Sequence, residues 1–121
     1  MTDVNYKGYT REMGLNSVGK GWAPLVNRVF DKLESTKGSI KIVQVKEKYA
    51  GLRIYTDYSN TELDKIIYDV ENESLRTCEE CGKPGKVRGK GWYYTSCDIH
   101  AKNGDIPHKY QPGDKDAKEE N

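Results

Sequence analysis

Apolar side chains fall into three runs, and the period of each run predicts an element. Trp22, Leu25, Val26, Val29 and Leu33 recur at three- and four-residue steps and make one helical stripe. Pro24 suits the first turn of that helix, where its missing amide costs nothing, and Gly38 stands where a chain leaving a helix needs a positive backbone angle. A Trp that begins an apolar stripe is more often a core residue than a ligand platform. Ile40 to Tyr58 is rich in β-branched and aromatic residues and is broken once, at Ala50-Gly51, which predicts a hairpin. Ile40 and Ile42 share one face while Val43 and Val45 share the other. The alternation therefore slips in mid-strand, and either both faces are partly covered or a bulge sits near Ile42. On the return strand Leu52 and Ile54 face one side, and Arg53 and Tyr55 the other. Leu63, Ile66, Ile67 and Val70 then recur at helical spacing, with Leu75 near the end, and predict a second amphipathic helix over about 60 to 76. Ser59 with Glu62, or Thr61 with Asp64, offers it a capping box, and Glu62, Asp64, Asp69, Glu71 and Glu73 give it an acidic outer face.

Together these elements predict an α+β fold, a small helix-strand-strand-helix unit over 22–77 followed by a zinc-ribbon-like hairpin over 78–101. Residues 1–21 carry Gly8, Gly14, Gly19 and Gly21 among polar residues and read as an irregular N-terminal arm, which Tyr6, Tyr9, Met13 and Leu15 could tuck against the domain. Residues 102–121, punctuated by Gly104, Pro107, Pro112 and Gly113 and ending in a polar run, read as a flexible, disordered C-terminal tail. A chain of 121 residues that is 35% hydrophobic and 32% charged has room for a modest core only. Such a core benefits from a staple.

The staple is Cys78-Glu79-Glu80-Cys81 with Cys97-Asp98-Ile99-His100, two close ligand pairs separated by 15 residues. That is the spacing of a structural zinc site, with each pair on a tight turn and a short hairpin between. All 3 cysteines are used. Cys78, Cys81, Cys97 and His100 fill the four tetrahedral positions of Zn2+ and leave none for water or substrate, and sulfur-rich closure favours zinc over iron. His108 is an alternative fourth ligand, but His100 repeats the spacing of the first pair. A thioredoxin-like redox pair would open a helix, whereas Gly82, Lys83, Pro84 and Gly85 follow Cys81. A secreted disulfide scaffold would want an even cysteine count and a signal peptide, and the chain begins Met1-Thr2-Asp3-Val4 without an apolar run. A reducing cytoplasm is the compartment expected. Zinc binding to small ribbons is worth roughly 10 to 16 kcal/mol, comparable to a small domain's whole stability.

Net charge is +1, so a case for nucleic acid rests on local clustering. Lys83, Lys86, Arg88 and Lys90 lie among glycines between the ligand pairs, followed by Trp92-Tyr93-Tyr94. The cations could neutralise phosphates, and rings such as Trp92 and Tyr94 could stack on bases; equally, one of these aromatics could simply pack over the metal turns. Lys46, Lys48 and Arg53 cluster near the first hairpin's turn with Tyr49 between them, either as a solvated, lysine-protected hairpin end or as a second cationic lip. Nucleic acid and another protein are the partner classes left open. No apolar run is long enough for a membrane and there is no lipidation motif. No phosphate loop, nucleophile elbow or metalloprotease helix is present, so an enzyme is disfavoured and no catalytic residue is assigned.

Gly21-Trp22 opening a helix, the run from Val43 to Tyr55, and Cys78-Glu79-Glu80-Cys81-Gly82 with Pro84-Gly85, Trp92, Thr95, Cys97 and His100 resemble a widespread family of small proteins encoded by phages, prophages and bacteria. The similarity covers roughly residues 21 to 101, and the chain departs from the family's more usual Phe and Gly at Tyr49 and Ala50. What the resemblance implies is an accessory protein of phage or mobile-element type in a bacterial cytoplasm, with no particular mechanism. Residues and resemblance together leave three functions: a non-catalytic zinc-binding adaptor at nucleic acid or its machinery, a counter-defence or host-takeover protein that binds a host or phage protein or a nucleotide signal, and, least favoured, a nuclease or hydrolase whose acidic site the fold assembles.

Overall fold

The computed structural model describes residues 8–36 and 39–112. The expectation for Gly38, the placement of Tyr6 and the end of the tail lie outside these residues. Helices α1 (Arg11–Asn16), α2 (Ala23–Ser35) and α3 (Thr61–Ser74) accompany strands β1 (Ile42–Lys48), β2 (Gly51–Thr56), β3 (Lys86–Arg88) and β4 (Tyr94–Ser96), with a 3-10 turn at Lys20–Trp22. The strands form two separate antiparallel hairpins, β1-β2 and β3-β4. The α+β expectation holds. No described helix is long and apolar enough to cross a membrane.

One core joins α2, α3 and the inner face of β1-β2. Trp22, Leu25, Val26, Val29 and Phe30 meet Ile42, Val45, Leu52, Ile54, Leu63, Ile67 and Val70, with Leu33 and Ile66 partly buried beside them. The slip in β1 is a register shift between Ile42 and Gln44, after which Val45 pairs with Ile54, Lys46 with Arg53 and Lys48 with Gly51. The irregularity lets Ile42 and Val45 both reach the core, although an even alternation would send them to opposite faces.

A two-stranded sheet leaves open edges, and here α3 closes one. Ser74, fully buried, accepts the Leu52 N–H at 2.9 Å, and the Glu71 carboxylate accepts the Ile54 N–H at 3.0 Å. The acidic face read from the sequence is therefore divided. Glu71 turns inward to the sheet, Glu62 pairs with Lys32 and Glu73 with Arg28. The cap of α3 also differs from both capping boxes expected: Asn60 accepts the Leu63 N–H, and the Ser59 hydroxyl donates to Asp64. Asn outcompetes its neighbours because its short carbonyl reaches the third amide directly.

Residues 8–21 of the N-terminal arm, the part the structure describes, are not wholly irregular, since they contain α1 and the 3-10 turn. Thr10 caps α1, accepting the Met13 N–H, and Tyr9, Leu15 and Val18 pack on the core. Gly14 sits where a Cβ would come within 2.9 Å of the Phe30 ring, so the glycine that suggested disorder permits close helix packing instead. Arg11 fastens the arm by bonding Asn27, Asp31 and Glu34 on α2.

Trp22 is fully buried and donates its ring N–H to the Thr77 carbonyl at 2.9 Å. Trp22→Ala is expected to cost about 3–5 kcal/mol by chemical denaturation, with Trp22→Phe milder because only the hydrogen bond and part of the volume go. Burial raises the Glu71 carboxyl above its ordinary value, against the Ile54 N–H and Arg53, which lower it. A raised folded value means the folded state holds the proton longer, so this group's contribution falls as pH rises through the carboxyl range. Glu71→Gln should flatten that loss in melting curves taken across the range.

Candidate metal centre

Two turns build the cluster. In the first, the Cys78 N–H donates to Lys83 O at 2.7 Å and the Gly82 N–H to Cys78 O at 2.9 Å, with Gly82 at φ +82°, a left-handed conformation that glycine adopts freely. In the second, the His100 N–H donates to Cys97 O at 3.2 Å. Strands β3 and β4, paired Lys86 to Ser96, Val87 to Thr95 and Arg88 to Tyr94, carry the chain from one turn to the other.

The ligand atoms of Cys78, Cys81, Cys97 and His100 all lie within 4.8 Å of one another. His100 Nδ1 is 3.3 Å from Cys97 Sγ and 3.7 Å from Cys78 Sγ, and Cys81 Sγ is 3.7 Å from Cys97 Sγ. A tetrahedral ion with bonds of about 2.3 Å to sulfur and about 2.0 Å to nitrogen spaces its ligands about 3.5 to 3.8 Å apart. The donor set and its spacing fit a metal ion. His108 is elsewhere: its ring bonds the Gly89 carbonyl and meets Tyr93 edge-on at 5.2 Å.

The thiols share protons unequally. Burial pushes Cys97 up, but hydrogen bonds from the His100 ring and backbone N–H and from the other two thiols outweigh it and bring it down to about 6. The Lys83 N–H favours the Cys81 thiolate, yet burial and the neighbouring thiols leave Cys81 above its ordinary value. A bound cation replaces these shared protons and holds the sulfurs as thiolates.

Backbone contacts weld the first turn to the α+β unit. The Gly21 N–H donates to Glu79 O at 2.7 Å, next to the Trp22 bond to Thr77. A Cβ on Gly21 would collide with the Cys78 carbonyl oxygen and lie 2.6 Å from Gly82 N. Thr95 joins the second hairpin to both the first turn and the β1-β2 hairpin. Its N–H donates to the Glu79 carboxylate at 2.9 Å, and its hydroxyl donates to Ala50 O at 2.8 Å. Burial raises the Glu79 carboxyl to about 7, although the Thr95 N–H works against it. The sequence offered Gly21, Glu79 and Thr95 only as parts of a family resemblance; their role as ties between the turns and the α+β unit had a single local signal, the close spacing of Gly19 and Gly21.

Of the candidate phosphate contacts, Lys83, Lys86 and Lys90 are exposed on the second hairpin and Lys48 and Tyr49 on the first, while Lys46 and Arg53 are half-buried opposite each other. Arg88 and Tyr94, expected at the surface, are instead buried. Arg88 is 4% exposed, bonding Ser96 O, Asp105 O and the Asp98 carboxylate, and Tyr94 is buried with its hydroxyl on Asp105. Their partners come partly from residues after His100, which the sequence assigned to a flexible tail. Pro107 bridges to Arg88, His108 N–H donates to Val87 O, and the Gln111 side chain bonds both backbone groups of Val87. Residues 102–112 thus wrap β3, because that strand's open edge needs partners. Trp92 remains 70% exposed.

No protein family, curated protein or solved structure matches the chain.

Purified protein should carry one metal ion per chain by elemental analysis, and a strong chelator should lower its melting temperature sharply. Gly21→Ala should likewise destabilise it by several kcal/mol, since backbone must move to admit the methyl group; an unchanged melting temperature would contradict the welded turn.

Proposed function

We propose that this chain is a non-catalytic, zinc-stapled binding module that works at nucleic acid or the machinery handling it, as an accessory protein of phage or mobile-element type. Zinc suits three sulfurs and one imidazole in a tetrahedron, and four protein ligands leave no position for a substrate. The ion's part is to hold the two turns together.

The observation that carries the nucleic-acid reading is the placement of unpaired cations. In the helical layer Arg11, Arg28, Lys32 and Lys65 each hold a carboxylate. Lys46, Lys48, Arg53, Lys83, Lys86 and Lys90, on and beside the hairpins, make no ion pair among the described residues; Lys20, Lys41, Arg76, Lys102 and Lys109 also make none but are scattered along the chain. Lys46 and Lys48 instead lie 5.9 and 5.7 Å from the ring centres of Tyr55 and Tyr49. Phosphates would supply the missing counter-charge, and release of their counterions would drive binding. Arg88 is excluded from this set because it is spent on the fold.

The test is binding of the zinc-loaded protein to random single- and double-stranded DNA and RNA across a salt series. Affinity should fall with salt, and joint replacement of Lys83, Lys86 and Lys90 by Gln should make the logarithmic slope shallower by about 2 to 3. Arg88→Ala should instead lower stability. Absence of binding at low salt would contradict the proposal and turn attention to a protein partner or a nucleotide signal.

A further inference from the structure

The tips of the two hairpins enclose a cleft of about 210 Å³, lined by Glu47, Lys48 and Tyr49 on one side and Gly91, Trp92 and Tyr93 on the other. Sites for whole drug-sized ligands run upward from about 300 Å³, so this cleft suits a single ring system. Its aromatics are held outward: Tyr49 is 69% and Trp92 70% exposed, although large rings usually contribute to a core.

The backbone beneath Tyr49 is strained to keep it there. Tyr49 and Ala50 form the two-residue turn of β1-β2 with φ of +52° and +74°. That turn type favours Asn-Gly, and a bulky aromatic in its first position is an outlier. Surrounding bonds hold the turn regardless. The Ala50 N–H donates to the Glu47 carboxylate at 2.8 Å, the Ala50 carbonyl accepts the Thr95 hydroxyl at 2.8 Å, and the Ala50 methyl is fully buried. Through Thr95, two positions before the ligand Cys97, the same framework that holds the metal turns also holds Tyr49. The facing wall is fastened too, Tyr93 lying edge-on against His108. Strain that the surroundings over-determine is a mark of function. What it presents here is an aromatic ring, beside the Lys48 ammonium and across from Trp92.

We infer that this cleft is a stacking site for one unpaired base of a nucleic-acid strand, with Tyr49 and Trp92 on its faces and Lys48 on the adjoining phosphate. Duplex bases are stacked on each other and cannot enter, so the protein prefers single strands. The inference rests on the nucleic-acid reading above and narrows it from phosphate contact to base contact.

The test titrates zinc-loaded full-length protein with three probes: a single strand of about eight nucleotides, the same strand with abasic sites, and a blunt duplex of that sequence. Trp22 is fully buried, so quenching of Trp fluorescence reports Trp92. The intact strand should quench the fluorescence and bind more tightly than the other two probes. Trp92→Ala and Tyr49→Gly should each weaken it by about five- to 150-fold. Tyr49→Gly also separates function from folding, because glycine accepts a positive φ freely and its melting temperature should hold or rise. If the abasic strand or the duplex binds equally well without quenching, the stacking site is wrong while lysine-driven binding stands. If no probe binds, both fall.

Discussion

Closure of two cysteine turns into one four-ligand cluster is the constraint on which the rest of the molecule depends. Neither turn has a hydrophobic interior of its own: of the ligands only Cys78 is buried, and the other three reach toward solvent. The strands between them are three residues each, too short to persist as an isolated hairpin. With four ligand atoms within 4.8 Å of one another, a metal ion bound there would supply the cross-link that such a segment lacks.

That closure reaches well beyond the ligands because the first turn shares backbone bonds with the α+β unit. Gly21 and Trp22 grip Thr77 and Glu79 from one side, and Thr95 grips Glu79 and Ala50 from the other. The helical core and the metal cluster therefore behave as one body. Its two hairpin tips line one cleft, and Lys48 at the edge of that cleft makes no ion pair among the described residues, whereas Arg11, Arg28, Lys32 and Lys65 on the helices each hold a carboxylate. Arg88 shows how burial divides a basic run: one cation becomes a structural tie, and its neighbours on either side stay free to meet an anion.

Periodic features were readable from residues alone. The stripe from Trp22, the hairpin with its slip at Ile42 and the ligand spacing each have a local chemical cause, and each has its counterpart in the fold. Features set by long-range contact were not. Gly14 read as part of an irregular arm because its packing against Phe30 depends on a residue 16 positions away. Residues 102–112 looked like a tail because no periodicity announces a segment that follows the edge of one short strand. Arg88, Tyr94 and Glu71 looked solvent-facing for a related reason: polar side chains go inside only when partners await them, and those partners lie far along the chain.

The most direct check on the metal-closed cluster is X-ray absorption at the metal edge of protein purified without added metal. The expected result is zinc in a four-coordinate shell of three sulfurs at about 2.3 Å and one imidazole nitrogen at about 2.0 Å. A shell dominated by oxygen, a lower sulfur count, or protein that folds fully with no metal bound would contradict it.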